Sequence, residues 1–71
     1  MSWSKKYIDF GVLKYELKTV KVYSSQYSYI SISVGPAEIK DCRWSPDNQI
    51  IVYLQNGKVR KYSSQTSYIM V

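Results

Sequence analysis

Apolar and polar positions alternate strictly from Tyr27 to Val34, with Ile30, Ile32 and Val34 on one face and Tyr27, Tyr29, Ser31 and Ser33 on the other. A period of two predicts a half-buried strand. Gly35-Pro36 ends it, because proline offers no ladder donor and glycine permits the bend. Further along, Ile50–Gln55 and Lys58–Tyr62 are β-branched and aromatic runs on either side of Asn56-Gly57. That pattern predicts a hairpin with a type I′ turn, whose central residues both need positive φ. Ser45-Pro46-Asp47-Asn48 predicts a type I turn, so Ile39–Trp44 is the preceding strand and the three strands form a meander. No helix is strongly predicted. Leu13, Leu17 and Val20 have helical spacing, but Val12, Tyr15, Thr19, Val20, Val22 and Tyr23 favour strand.

A near-duplication extends this reading to the first half of the chain. Val20–Ile30 recurs as Val59–Ile69, with eight of eleven positions identical at an offset of 39 residues. Like sequence gives like structure, so each copy reads as strand, Ser-Ser-Gln turn, strand. Extended backwards, the alignment sets Gly11–Leu17 opposite Ile50–Asn56, giving repeat units of about 11–34 and 50–71. The expected fold is a single all-β domain over residues 1–71, a small open barrel or a curved antiparallel sheet of six or seven short strands with an internal two-fold repeat. Its expected inward set is Val20, Ile30, Ile32, Ile50, Val52, Leu54, Val59, Ile69 and Val71. Trp44, between strand and turn, reads as a core plug, and Trp3 as either core or a frayed end.

Trp44-Ser45-Pro46-Asp47, Ile50–Tyr53, Asn56-Gly57-Lys58-Val59 and Tyr62 together resemble one blade of a WD-type β-propeller, and the offset of 39 is near such a repeat's length. The resemblance covers about thirty residues. It departs from the pattern in having no Gly-His or Trp-Asp pair, and the first copy has no Ser-Pro-Asp turn. Two blades do not close a propeller.

Length sets the next constraint. Seventy-one residues lie near the low end for a self-sufficient core, where disulfides, metals or partner chains often contribute. The chain has one cysteine, Cys42, and no histidine, which excludes intrachain disulfides and His-based metal sites. Self-association is the remaining support, and a homo-oligomer is expected. The longest apolar run, Ile50–Leu54, is too short to span a membrane, and Met1–Phe10 has no signal-peptide core. A cytoplasmic location with a reduced thiol follows as the expectation.

Catalysis finds little to work with. The acids are Asp9, Glu16, Glu38, Asp41 and Asp47, in no paired motif; no glycine loop cradles phosphate, and Ser24, Ser25, Ser63 and Ser64 read as turn formers. No enzyme activity, cofactor or membrane partner is expected. Alternation leaves Lys21, Tyr23, Tyr27, Tyr29, Tyr53, Lys58, Arg60, Tyr62 and Tyr68 facing out, and these are the candidate binding residues. Tyrosines among Lys and Arg stack bases while neutralising phosphate, and the net charge of +5 attracts a polyanion, so nucleic acid is one expected partner. A protein surface, its own included, is the other. Tyrosine and arginine concentrate in interface hot spots, and Tyr23–Val34 is an uncharged, β-prone stretch that would recruit a strand if it formed an edge. Either face also has a purely structural explanation, since tyrosine favours strands and cross-strand aromatic pairs need no ligand.

Overall fold

A computed structural model describes residues 3–71; Met1 and Ser2, the start of the N-terminal run, lie outside them. Among the described residues the chain is all-β, with seven strands and one short helix. The helix, α1 (Lys5–Phe10), is the element the sequence pattern did not predict. Gly11 ends it in the left-handed region at φ 67°, where its N–H reaches the Tyr7 carbonyl at 2.8 Å. The strands are β1 (Leu13–Glu16), β2 (Thr19–Tyr23), β3 (Tyr29–Ser33), β4 (Ile39–Trp44), β5 (Ile50–Leu54), β6 (Val59–Tyr62) and β7 (Tyr68–Met70). They form two antiparallel sheets, β1-β2-β3 and β4-β5-β6-β7, rather than one continuous sheet or a closed barrel. The second sheet is a four-stranded meander, of which the blade-like residues Trp44–Tyr62 span the end of β4, β5 and β6.

One core lies between the sheets. Val20, Val22, Ile32 and Val34 from the first face Ile39, Ile50, Val52, Leu54 and Tyr62 from the second, with Trp3 among them. The sheets also meet along β1 and β4. The Tyr15 hydroxyl donates to the Lys40 carbonyl at 2.8 Å, and the Ile39 N–H reaches the Leu17 carbonyl at 2.7 Å. Lys18 at the same turn accepts from Val34 at 2.7 Å. These tertiary bonds hold Leu17 at φ 53°, a conformation that costs a branched residue roughly 1–2 kcal/mol.

The duplicated segments have one geometry. Tyr23 pairs with Tyr29 and Tyr62 with Tyr68, and both turns repeat the same bonds: Ser24 or Ser63 N–H to Ser28 or Ser67 carbonyl at 2.9 Å, closed by Ser25 or Ser64 Oγ accepting at 3.2 Å. Upstream the copies differ by one residue. β1 and β2 are joined by Leu17-Lys18, whereas Leu54 and Lys58 enclose the three-residue loop Gln55-Asn56-Gly57. Gly57 alone has positive φ there, at 86°, so the expected type I′ turn is instead a type I turn followed by a glycine bulge. The extra residue shifts the equivalence of β1 and β5 to an offset of 38, so Ile51 rather than Val52 corresponds to Leu13.

Candidate functional site

Each repeat unit has two faces. We call "front" the face of Val20, Val22, Ile30 and Ile32, equivalent to Val59, Lys61, Ile69 and Val71. The "back" carries Lys21, Tyr23, Tyr29 and Ser31, equivalent to Arg60, Tyr62, Tyr68 and Met70. In the first unit the front is the core face: Val20 and Val22 are completely buried. In the second unit the back is, along β6, while Tyr68 and Met70 on the edge strand β7 are 45% and 51% exposed. Tyr62 is only 2% exposed and stands beside Ile50, while Ile69 and Val71 are 62% and 75% exposed. The molecule therefore packs the front of one copy against the back of the next.

This reverses part of the expected site. Tyr62 was expected outside and is core; Val59, Ile69 and Val71 were expected inside and lie on the outer face of the second sheet. The rest of the candidate set is divided. Lys21, Tyr23 and Tyr29 share the outer face of the first sheet, and Tyr27 lies exposed in the adjoining turn. Tyr53 is on the outer face of the second sheet, with the Arg43 guanidinium 5.4 Å from its ring centre. Lys58 is exposed beside the Gly57 loop. Arg60 and Tyr68 lie on the same face as Tyr62, but Tyr68 is exposed at the sheet edge; Arg60 is half-buried, donates to the Tyr62 hydroxyl at 3.3 Å and lies 4.6 Å from the Tyr68 ring centre. No single surface gathers all nine residues.

The outer face of the first sheet is the more polar one. Lys14 stands directly across from Lys21, a like-charge pair that a sheet does not favour for stability. Each ammonium lies 5.4 Å from a tyrosine ring centre, Lys14 at Tyr23 and Lys21 at Tyr29, and the two rings are 5.0 Å apart. The sequence reading missed Lys14, because the register that brings it beside Lys21 depends on the Leu17-Lys18 turn. The Tyr62–Tyr68 pair has the same form, at 4.9 Å with Arg60 alongside, yet there Tyr62 is in the core and Tyr68 is 45% exposed. The arrangement is thus an intrinsic product of the repeated hairpin.

The outer face of the second sheet is more apolar. It carries Ile51, Tyr53, Val59, Ile69 and Val71, with Lys61 reaching Asp47 at 2.6 Å and Arg43 reaching Asp41 at 3.5 Å. Hydrogen bonds from Lys61 and from the Ser45 hydroxyl hold the Asp47 carboxyl below its ordinary 3.8. Trp44 is half-buried and meets Trp3 edge-on at 6.1 Å; its indole N–H and the Arg60 Nε are buried with no hydrogen-bond partner among the described residues.

Cys42 lies half-buried on the core side of β4 opposite Val52. Burial, reinforced by the Asp41 charge, pushes its thiol up to about 11. Native Cys42 is therefore expected to alkylate with iodoacetamide at about pH 8 roughly 100-fold more slowly than the urea-unfolded chain. Equal rates in the two states would exclude this environment. No group of three Cys, Asp or Glu side chains suited to a metal occurs among the described residues. A depression at the β1–β2 turn brings Glu16 and Glu38 together with Lys18, Thr19 and Lys21. No described helix is long and apolar enough to cross a membrane. Comparison of the chain with protein-family models, curated proteins and solved structures finds no match.

Proposed function

We propose that this protein is a non-enzymatic interaction module that works by covering its sheet faces with protein, another copy of itself included. The observation that carries the reading is the open front of the second unit. Ile51, Tyr53, Val59, Ile69 and Val71 occupy the positions that Leu13, Tyr15, Val20, Ile30 and Ile32 hold in the first unit, where Val20 and Ile32 are fully buried under a second sheet. A face of this composition gains by being covered, at about 25 cal/mol for each Å² of apolar surface removed from water. The side chains do not favour catalysis: Asp9, Asp41 and Asp47 are paired with Lys5, Arg43 and Lys61, and the thiol is held protonated. Sedimentation equilibrium from ~10 µM to ~1 mM is expected to show reversible association, abolished by Ile69→Asp, which sits on an exposed edge strand and should leave the fold intact. A chain that stays monomeric at ~1 mM would remove self-association from the reading.

Lys14 opposite Lys21 beside the Tyr23–Tyr29 pair favours a second reading, that the outer face of the first sheet binds nucleic acid. Its test is a salt titration against generic single- and double-stranded oligonucleotides. Affinity is expected to fall steeply with salt, and an absence of binding at ~50 mM salt discards it.

A further inference from the structure

The molecule contains one complete front-to-back junction between two copies of the same unit and leaves exposed the two halves of another. The back of the first unit and the front of the second are the homologues of the two surfaces already joined inside the chain. We infer that a second copy of this chain docks head-to-tail, seating the back of its first sheet on the front of the second sheet, so that the internal junction is repeated between molecules. The inference rests on the proposal that the module self-associates, and specifies how.

The correspondence reaches individual atoms. Across the internal junction Gln65, in the Ser-Ser-Gln turn of the second copy, donates from Nε2 to the Ser31 carbonyl on β3 at 3.1 Å. Its homologue Gln26 is exposed. The homologue of Ser31 is Met70, on β7 at the edge of the second sheet. Val71 N–H bonds to Val59 and Ser63 N–H to Ser67, so alternation turns the Met70 carbonyl away from β6 and out to the edge. A copy added head-to-tail brings its Gln26 to that carbonyl. It also brings Lys21, Tyr23 and Tyr29 to positions that Arg60, Tyr62 and Tyr68 hold within one molecule, with the same ring pairing and a lysine in place of the arginine beside it.

The incoming back does differ from its internal counterpart. Lys14 and Glu16 stand where Val52 and Leu54 do, and Ser31 where Met70 does. The receiving front carries Asp41, Arg43 and Lys61, so charges of both signs are present on each half. The junction between molecules is therefore wetter than the internal one and accordingly weaker and salt-sensitive. Because the two halves are different surfaces, the contact is heterologous and propagates into a ring or a filament.

Two variants test the polarity. Ile69→Asp spoils only the front and Tyr29→Asp only the back, each on an exposed stretch of an edge strand, with retention of fold verified by circular dichroism and melting. By light scattering at ~100 µM, each alone is expected at the 8.3 kDa of one chain, and an equimolar mixture at twice that mass, since one intact junction is then available. Gln26→Ala, which perturbs no packing, is expected to weaken association about 2- to 10-fold. If Ile69→Asp is monomeric but Tyr29→Asp associates like the unmodified chain, the contact is front-to-front, which overturns the inference and leaves the self-association proposal standing. An unmodified chain that never associates overturns both.

Discussion

Tyr62→Ala is expected to cost about 3 kcal/mol of folding stability, while Tyr23→Ala, the same change at the homologous position, costs about 1 kcal/mol or less. Tyr62 is 2% exposed, packs in the core beside Ile50, and takes a hydrogen bond on its backbone carbonyl from Trp3. Its truncation leaves a cavity between two sheets that are held apart by other side chains. Tyr23 is half-buried on the outer face of the first sheet and touches Tyr29 and Lys14, so its removal opens no void. A chain of 71 residues has roughly 4–10 kcal/mol in all, so the first variant loses about a third to three-quarters of it and the second about a quarter or less. Parallel thermal melts decide the matter: a shift of about 12–24 °C is expected for Tyr62→Ala and under about 8 °C for Tyr23→Ala. Equal shifts would mean that the two copies turn the same face to the core.

That asymmetry was the part of the structure least legible in the sequence. Strand positions were readable because alternation and turn chemistry act locally: Ile39–Trp44 emerges as β4 at those bounds, and Tyr29–Ser33 falls within the alternating run. Which face turns inward is a tertiary matter, and here it hangs on one loop residue. A two-residue Asn56-Gly57 turn would have paired Leu54 with Val59 and Ile51 with Tyr62, placing Val59 inside and Tyr62 outside. The three-residue loop pairs Tyr53 with Val59 and Ile50 with Tyr62 instead. A one-residue slip exchanges every side chain between faces. One clue was present: Lys61 occupies the position of Val22, a substitution that suits a solvent face better than a core.

The candidate site followed the same logic. Lys21, Tyr23 and Tyr29 were found on one surface because a single hairpin fixes their spacing. Lys14 joined them through the β1–β2 register, and Tyr62 left them through the β5–β6 register, neither of which side-chain periodicity specifies. Helix α1 was missed for a related reason. Six residues with no side-chain cap bond carry weak local signal, and what packs against the core is Tyr7 and Ile8, anchored next to Trp3.

Trp3→Ala is therefore expected to be the most damaging single truncation near the N-terminus, at about 3–5 kcal/mol. Trp3 is 6% exposed, meets Tyr7 and Trp44 edge-on at 5.7 and 6.1 Å, and donates its indole N–H to the Tyr62 carbonyl at 3.1 Å. The first sheet has three strands and the second four, so the first has no strand equivalent to β4. One indole with a six-residue helix behind it thus covers the end of the core at Trp44 and Tyr62. Removing the ring opens the core at that end and frees Tyr7 and Ile8, so the loss should spread to both sheets in one cooperative transition rather than fray the helix alone. Urea unfolding followed through Trp44 fluorescence and far-ultraviolet dichroism separates these outcomes, because Trp44 reports on the second sheet and survives the substitution. Coincident transitions at a lowered midpoint are expected, with Trp3→Phe recovering most of the stability but not the hydrogen bond, about 1 kcal/mol. A midpoint unchanged from the parent chain would reject the role assigned to Trp3.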